Sequence, residues 1–458
     1  MGASKLEAGA DFGRREAEAF AVGRRSGMGR LGAYLVPESL GAARRWGFVL
    51  LAMCFVLSLM VGVLPFVKEW ADRNDYLVVY EGCRAMWSGM HGPYRVAGIV
   101  YPPGTMAVFF PMSVLTARAS SMVVVVGAMG LLLVSAGMLL RYIPAEKGWR
   151  RVGFGCMTLL WAPLLAGLHS NNVSVLAVGL VFLAAVGWLD GEGWMGPVLL
   201  GISVAIKPQV GGILLLLYAV RGRWKAFWVG VSIPAVLTAG ALARIVAVEP
   251  HWLADYRMNQ ARFNSAGHWA DVSYAETKRF VLVNLQVALY PMGKSVVVSR
   301  WAAVLVGVAL VGVWVWIDWR SRGRRNELLA MASLLPITLV PVFQQYYNAT
   351  LLVICLAAVL TLQRTKTVKV ASGLLAVYLV RPAPLYHLLP ETYLNGDVAS
   401  VAWNSLGVGF SAWLVLAVAV VMLWLYWRWG AGREVWDGGL AGVRARTGCD
   451  RGRRAERA

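Results

Sequence analysis

Long apolar runs dominate this chain, and about 20 apolar residues in a row is the length that spans a bilayer as a helix. Such runs occupy 46–67, 103–117, 119–140, 152–168, 172–189, 196–220, 224–247, 300–319, 327–343, 345–362, 369–389 and 403–428, twelve in all. Of the 458 residues 58% are apolar and only 15% charged, against about 25% charged in soluble domains. One soluble core cannot hide that much apolar surface, so a soluble enzyme is excluded. In lipid a helix satisfies its own backbone, and the runs predict an all-α polytopic membrane protein of about twelve transmembrane helices. Runs 103–117 and 152–168 fall short of a full span and are the candidates for partial insertion.

The net charge of +20 has two readings, nucleic acid or orientation in a membrane. Position decides between them. Basic residues crowd the leader 1–45 (Arg14, Arg15, Arg24, Arg25, Arg44, Arg45), three short loops (Arg221–Lys225, Arg320–Arg325, Arg364–Lys369) and the tail 429–458. Twelve spans put all of these on one side, which the positive-inside rule makes cytoplasmic. Both termini are then cytoplasmic, residues 46–428 form one transmembrane domain, and the long loops 68–102 and 248–299 face outward. Those loops are nearly neutral, with four basic and four acidic residues in the first and five and four in the second. The loop 141–151, with Arg141, Lys147, Arg150 and Arg151, falls on the wrong side. Making 103–117 re-entrant repairs it only if a second segment is re-entrant too. The basic residues suit anionic headgroups of the lipid bilayer, and no nucleic-acid module accompanies them, so no nucleic-acid partner is expected. Many of the 21 tryptophans sit at span ends, among them Trp46, Trp149, Trp224, Trp319, Trp427 and Trp429, as interfacial anchors. The five cysteines form neither a metal pattern nor a disulfide framework. Cys83 lies in the first outer loop, where an impermeant thiol reagent is expected to reach it.

An acid at the rim of a polytopic bundle is a functional candidate by default. The first outer loop supplies Asp75, then Tyr76, Val79 and Tyr80 at helical spacing, which predicts a short interfacial helix. Asp75 stands at the start of that helix, where a carboxylate can also cap backbone N–H groups or pair with Arg73. Pro102-Pro103 forces an extended entry into the next apolar run. Lys207 interrupts the run 196–220 next to Pro208. A lysine there costs about 2.5–3.5 kcal/mol on the insertion scale, and a broken helix with a cation can hold a phosphate.

The order of motifs resembles glycosyltransferase family 87, in the C-type superfamily of integral-membrane glycosyltransferases. Asp75, Tyr80, Gly89, Pro93-Tyr94, Tyr101-Pro102-Pro103 and Pro111 follow the family's first loop, and His169-Ser170-Asn171-Asn172 stands where a Gly-Gln-x-Asn sequence is usual. Ala205-Ile206-Lys207-Pro208-Gln209, followed by Arg221-Gly222-Arg223-Trp224, looks like the family's Lys-Pro helix and basic exit. Together these cover residues 75–225, about a third of the chain.

The resemblance implies a C-type bundle with short interfacial helices on its outward loops. It implies transfer of a hexose, typically mannose, from a polyprenyl-phosphate donor to a glycan or glycolipid acceptor, with inversion, on the outer face of the inner (plasma) membrane. It makes Asp75 the expected catalytic base and Lys207 the expected donor-phosphate ligand, with Gln209 as an accessory. Tyr80, Tyr94 and Tyr101 are the motif tyrosines expected to touch donor or acceptor. Where relatives often carry a histidine, this chain has Gln344, Gln345 and Tyr346, whose amides and phenol can bind sugar hydroxyls. His251 opens the second outer loop, whose Tyr256, Asn259, Gln260, Arg262, Asn264 and His268 suit a carbohydrate contact. A lipid or glycan transporter is the alternative, since it too would use a broken helix with a midplane lysine. No metal-ligand spacing appears in either outer loop, and no cofactor is expected. Activity should therefore persist in excess chelator; loss restored by a divalent cation would refute this.

Overall fold

The computed structural model describes residues 41–64, 67, 74–144, 148–191, 193–276, 278–321, 326–363, 365–380 and 400–430. The leader 1–40, Asp72, Arg73, Lys147, Arg322–Arg325, Arg364 and the tail from 431 lie outside them. Among the described residues all regular structure is helical, apart from one isolated antiparallel bridge between Leu282 and Gln345.

Among the described residues seven helices are long and apolar enough to cross a membrane: Trp46–Val63, Ala117–Tyr142, Gly148–His169, Val173–Asp190, Trp224–Val248, Val296–Arg320 and Phe410–Trp429. Five shorter apolar helices accompany them: Pro103–Val114, Met195–Ile206, Pro208–Val220, Glu327–Leu339 and Tyr346–Thr361. The run 152–168 is therefore no half-inserted piece. It begins earlier, at Gly148, because Arg150 and Arg151 form the first turn and are caught by carbonyls. Arg150 donates to Leu360 and Leu362 at 2.8 and 2.9 Å, and Arg151 to Ile143 at 2.8 Å.

Pro103–Val114 does stay at one end. Its start is tied to the break near Lys207, where the Thr105 hydroxyl donates to the carbonyl of Ile206 at 2.8 Å. Its far side is tied to the interfacial helix Asp75–Ser88, where the Tyr80 hydroxyl donates to Leu115 at 2.8 Å. Asn74 holds Ser121 at 2.7 Å beside the same helix, so the next long helix starts at that level.

The run 196–220 is not one broken span. Its two helices, Met195–Ile206 and Pro208–Val220, fold back as an antiparallel hairpin with Lys207 at the tip. A Cβ built on Gly196 would lie 2.9 Å from the Tyr218 hydroxyl, and one on Gly211 would lie 2.9 Å from the Ser203 hydroxyl. Residues near the two outer ends thus meet, and so do residues near the tip. Small residues make such close approach possible within lipid, where packing replaces the hydrophobic effect as the driving force. Gly201 is another such contact, its Cβ position falling 3.0 Å from the carbonyl of Gly230.

These two corrections act together on the topology. With Pro103–Val114 confined to one end and the hairpin returning to where it started, the loop near 141–151 joins the other basic loops. Contacts place them at one end of the bundle. Arg141 pairs with Asp190 at 2.7 Å, and Arg221 bridges Asp318 at 2.5 Å and Glu327 at 2.9 Å. Tyr426, near the end of the last helix, donates to Asp318 at 2.6 Å. Removing one partner of a buried pair such as Arg221–Asp318 typically costs about 3–5 kcal/mol, so this cluster locks the hairpin's feet to the late helices. Trp46, Trp149, Trp224 and Trp319 are exposed as anchors, whereas Trp429 is buried.

Cys83 is a poor probe of sidedness. It is fully buried on the inner face of Asp75–Ser88, bonded toward Met106, and burial pushes its thiol up to about 12. A better pair is Ala266 and Lys225, both exposed at opposite ends of the Trp224–Val248 helix and the loop it feeds. Single cysteines at these two positions, in a background without native cysteines, should react with an impermeant thiol reagent from opposite sides of the membrane. Reaction of both from one side would refute this topology.

Candidate functional site

Three helix N-termini converge on one cavity of about 760 Å³. They belong to Asp75–Ser88, Val173–Asp190 and Pro208–Val220, and their first residues or caps, Asp75, Asn172, Lys207 and Pro208, all line it. Helix N-termini carry unpaired N–H groups and the positive end of the macrodipole, so the cavity suits an anion. Tyr101, Gln209, Gln345, Tyr347 and Phe343 complete this wall.

The facing wall comes from the second outer loop. Its helix Trp252–Phe263 lies along residues 94–100 through Asn259, which donates to the carbonyls of Tyr94 at 2.8 Å and Val96 at 3.2 Å. Gln260 donates to Val100 at 3.0 Å, and Arg95 pairs with Glu249 at 2.6 Å. Tyr256, Gln260, Arg262, Asn264, His268 and Trp269 thereby face the cavity.

Asp75 does not cap its own helix among the described bonds. Its backbone N–H donates to the carbonyl of Ser170 at 2.9 Å, and its Oδ2 accepts from the Asn172 amide at 2.8 Å. The carboxylate is open to the cavity yet enclosed by the cavity's walls. That enclosure pushes its pKa up, opposed by the Asn172 hydrogen bond and the Lys207 charge. Desolvation disfavours the charged form, so the direction is that of a stronger base than an exposed aspartate.

Lys207 is buried at the hairpin tip, where the helix ends with extended backbone. Its ammonium donates to the Ser174 hydroxyl and sits over the rings of Tyr101 and Tyr347, 5.8 and 5.2 Å from their centroids. Cation–π contacts of this kind are worth about 0.5–2 kcal/mol, which helps hold a charge away from bulk water. The tip's own carbonyls are also met. Thr105 reaches Ile206, and the Thr338 hydroxyl and the Gln344 amide reach Gln209 at 2.5 and 3.4 Å.

Asp75, Lys207, Tyr101, Gln209 and Gln345, each singled out in the sequence, come together here. The others do not line this cavity. Tyr80 is buried under the interfacial helix, Tyr94 donates to the carbonyl of Tyr101 at 3.1 Å, and Gln344 braces Gln209. Tyr346 donates to Val380 at 3.1 Å, and His251 precedes the helix at its N-cap. Asn172 and Tyr347 also line the cavity, and neither stands out in the sequence as a site residue. Their signal was present only as neighbours, since Asn172 closes the His169–Asn172 motif and Tyr347 follows Gln345-Tyr346.

A model of glycosyltransferase family 87 matches residues 100–341, more than half of the chain. The chain belongs to glycosyltransferase family 87. It is a membrane glycosyltransferase, which decides against the transporter alternative. The family match contains Tyr101, Asn172, Lys207, Gln209 and the facing wall, while Asp75 and Tyr347 lie outside it and join them only through the fold. No curated protein matches the chain. Among solved structures it is similar to ArnT from Cupriavidus metallidurans in the apo state, at 16% identity over 86% of this chain and 78% of that one. The TM-score is 0.42, a likeness too distant to transfer any residue.

Proposed function

We propose that this transferase moves a hexose, with mannose as the expected sugar, from a polyprenyl-phosphate donor to a glycan or glycolipid acceptor. The reaction takes place on the outer face of the inner (plasma) membrane, with inversion. The observation that carries this reading is that one carboxylate, Asp75, and one buried ammonium, Lys207, share a cavity built from helix N-termini. The site lies at the end of the bundle away from the basic loops, and the positive-inside rule supports placing those loops in the cytoplasm.

The chemistry suits these groups. The acceptor hydroxyl oxygen attacks the anomeric carbon while its proton passes to the Asp75 carboxylate. The bond from the anomeric carbon to the phosphate oxygen breaks, and polyprenyl phosphate leaves with the electron pair. Lys207 and the N-terminus of Pro208–Val220 offer fixed positive charge for the developing phosphate charge. A single displacement needs only one carboxylate, which accounts for inversion. A second cavity of about 460 Å³ shares Pro208 and Gln209 with the first and is otherwise lined by apolar stretches of Pro208–Val220, Val296–Arg320 and residues 337–342, which suits a donor's lipid tail.

The test is to incubate purified protein with labelled polyprenyl-phosphate sugars and measure released polyprenyl phosphate and product anomer. Mannose should be transferred with inversion; retention, or release from no such donor, would refute the reading. Asp75→Asn should lower kcat by about 100- to 10,000-fold, and wild-type turnover in that variant would exclude Asp75 as base. Because enclosure raises the Asp75 pKa and the base must be ionised, activity should fall as pH drops through it. The acid limb of kcat/KM should therefore lie above the ordinary aspartate value of about 3.9. Lys207→Ala should raise the donor KM by about 10- to 100-fold; an unchanged donor KM would remove Lys207 from the phosphate site.

A further inference from the structure

The amide of Asn172 has only one orientation that satisfies its neighbours. Its Oδ1 receives the backbone N–H of Ser174 at 3.0 Å, and that donor cannot be reversed. The Ser174 hydroxyl lies 2.6 Å from the same oxygen, so its single proton must point there too. The Asn172 nitrogen is then left to donate, and it does so to Asp75 Oδ2 and to the Tyr347 hydroxyl, each at 2.8 Å. A flipped amide would set its N–H against the Ser174 N–H and its oxygen against the carboxylate. Since the Ser174 proton is committed to Asn172, its oxygen is free only to accept, and it accepts from Lys207. The result is a one-way chain of donors from the ammonium of Lys207 through Ser174 and Asn172 to the carboxylate of Asp75. Asn172 and Ser174 are both buried, so the bonds among Lys207, Ser174 and Asn172 are shielded from water, and only the last one, to Asp75, reaches the cavity.

We propose that Asn172 is the positioning residue of the catalytic centre, holding the Asp75 carboxylate in register with the Lys207 charge. This rests on the reading of Asp75 as the general base. Asn172 also caps Val173–Asp190, and the two roles use different halves of one amide. The oxygen serves the helix, and the nitrogen serves Asp75. An aspartate at this position keeps the first and abolishes the second, because Asp and Asn cap helices about equally well.

The groups that face Asp75 are Lys207 from the hairpin tip, Tyr101 ahead of Pro103–Val114 and Tyr347 at the start of Tyr346–Leu352. Asn172 does not titrate itself, and of the two groups its N–H bonds hold, Asp75 and Tyr347, only Asp75 is a carboxylate, so removing them bears on the Asp75 charge. Losing a hydrogen bond to the charged form raises a carboxyl pKa, and a second carboxylate alongside raises it further.

The full chain, in lipid nanodiscs, tests this with Asn172→Asp. The variant should fold and melt near the wild type. Its kcat should fall about tenfold or more with little change in donor KM. Protonation of Asp75, followed without turnover by carbodiimide labelling and mass spectrometry against pH, should move up by about one pH unit or more. Wild-type kcat together with an unmoved labelling midpoint would overturn the proposal and leave Asn172 as a cap only. If Asn172→Asp does not fold, Asn172→Ser, which also caps but is too short to reach Asp75, carries the same comparison. A wild-type protein that labels normally but transfers no sugar would count against the glycosyl-transfer reading, and the labelling midpoint still decides the role of Asn172.

Discussion

A helix that ends and reverses among membrane helices must find partners for the backbone groups it frees, because lipid offers none. The reversal at Lys207-Pro208 meets that constraint through side chains drawn from three distant stretches. Thr105 takes the carbonyl of Ile206, Thr338 and Gln344 take that of Gln209, and Ser174 takes the ammonium. Each partner brings its own element to the tip. The segment Pro103–Val114, the start of Val173–Asp190 and the turn after Leu339 are therefore gathered around one point. The cavity follows from this gathering, since irregular backbone at depth is tolerated where it lines a space. Asp75 enters from the interfacial helix and completes the set.

Much of the fold was legible in the apolar runs, because their length and number leave few alternatives in a bilayer. The inward face of the first interfacial helix was legible in Tyr76, Val79 and Tyr80, all buried, but not in Cys83, which reads as accessible in the outer loop and is buried with them. The hairpin was not. A run of apolar residues broken by Lys-Pro reads equally well as a kinked span or as two short helices folded back. What separates the two is the placement of Gly196 and Gly211, which only become contact points once the partner helix is known. The misplaced loop 141–151 was the one symptom visible in the sequence. It arose because two segments return to their starting side and their errors of parity do not cancel locally.

The site was legible in its charges and opaque in its connections. Asp75 and Lys207 stand out because ionisable residues are costly near lipid. Asn172, Ser174 and Tyr347 carry no such penalty and look like ordinary helix-end residues. Their importance comes from geometry: a cap, a hydroxyl and a phenol fall within hydrogen-bonding distance only after helices 97 and 175 residues apart in sequence pack together. Conversely, Tyr80, Tyr94 and Gln344 were conspicuous, and their polar atoms turn out to serve backbone carbonyls rather than the cavity.

The second outer loop hangs between Trp224–Val248 and Val296–Arg320, two long helices with only 11% and 17% of their spans buried. Most of their surface faces lipid. At 25 residues each and about 1.5 Å of rise per residue, they exceed a hydrocarbon core of about 30 Å, an excess that tilt, a kink or local thickening of the bilayer absorbs. One wall of the cavity is thus carried by two helices that present most of their surface to lipid, while the other wall is held within the packed bundle.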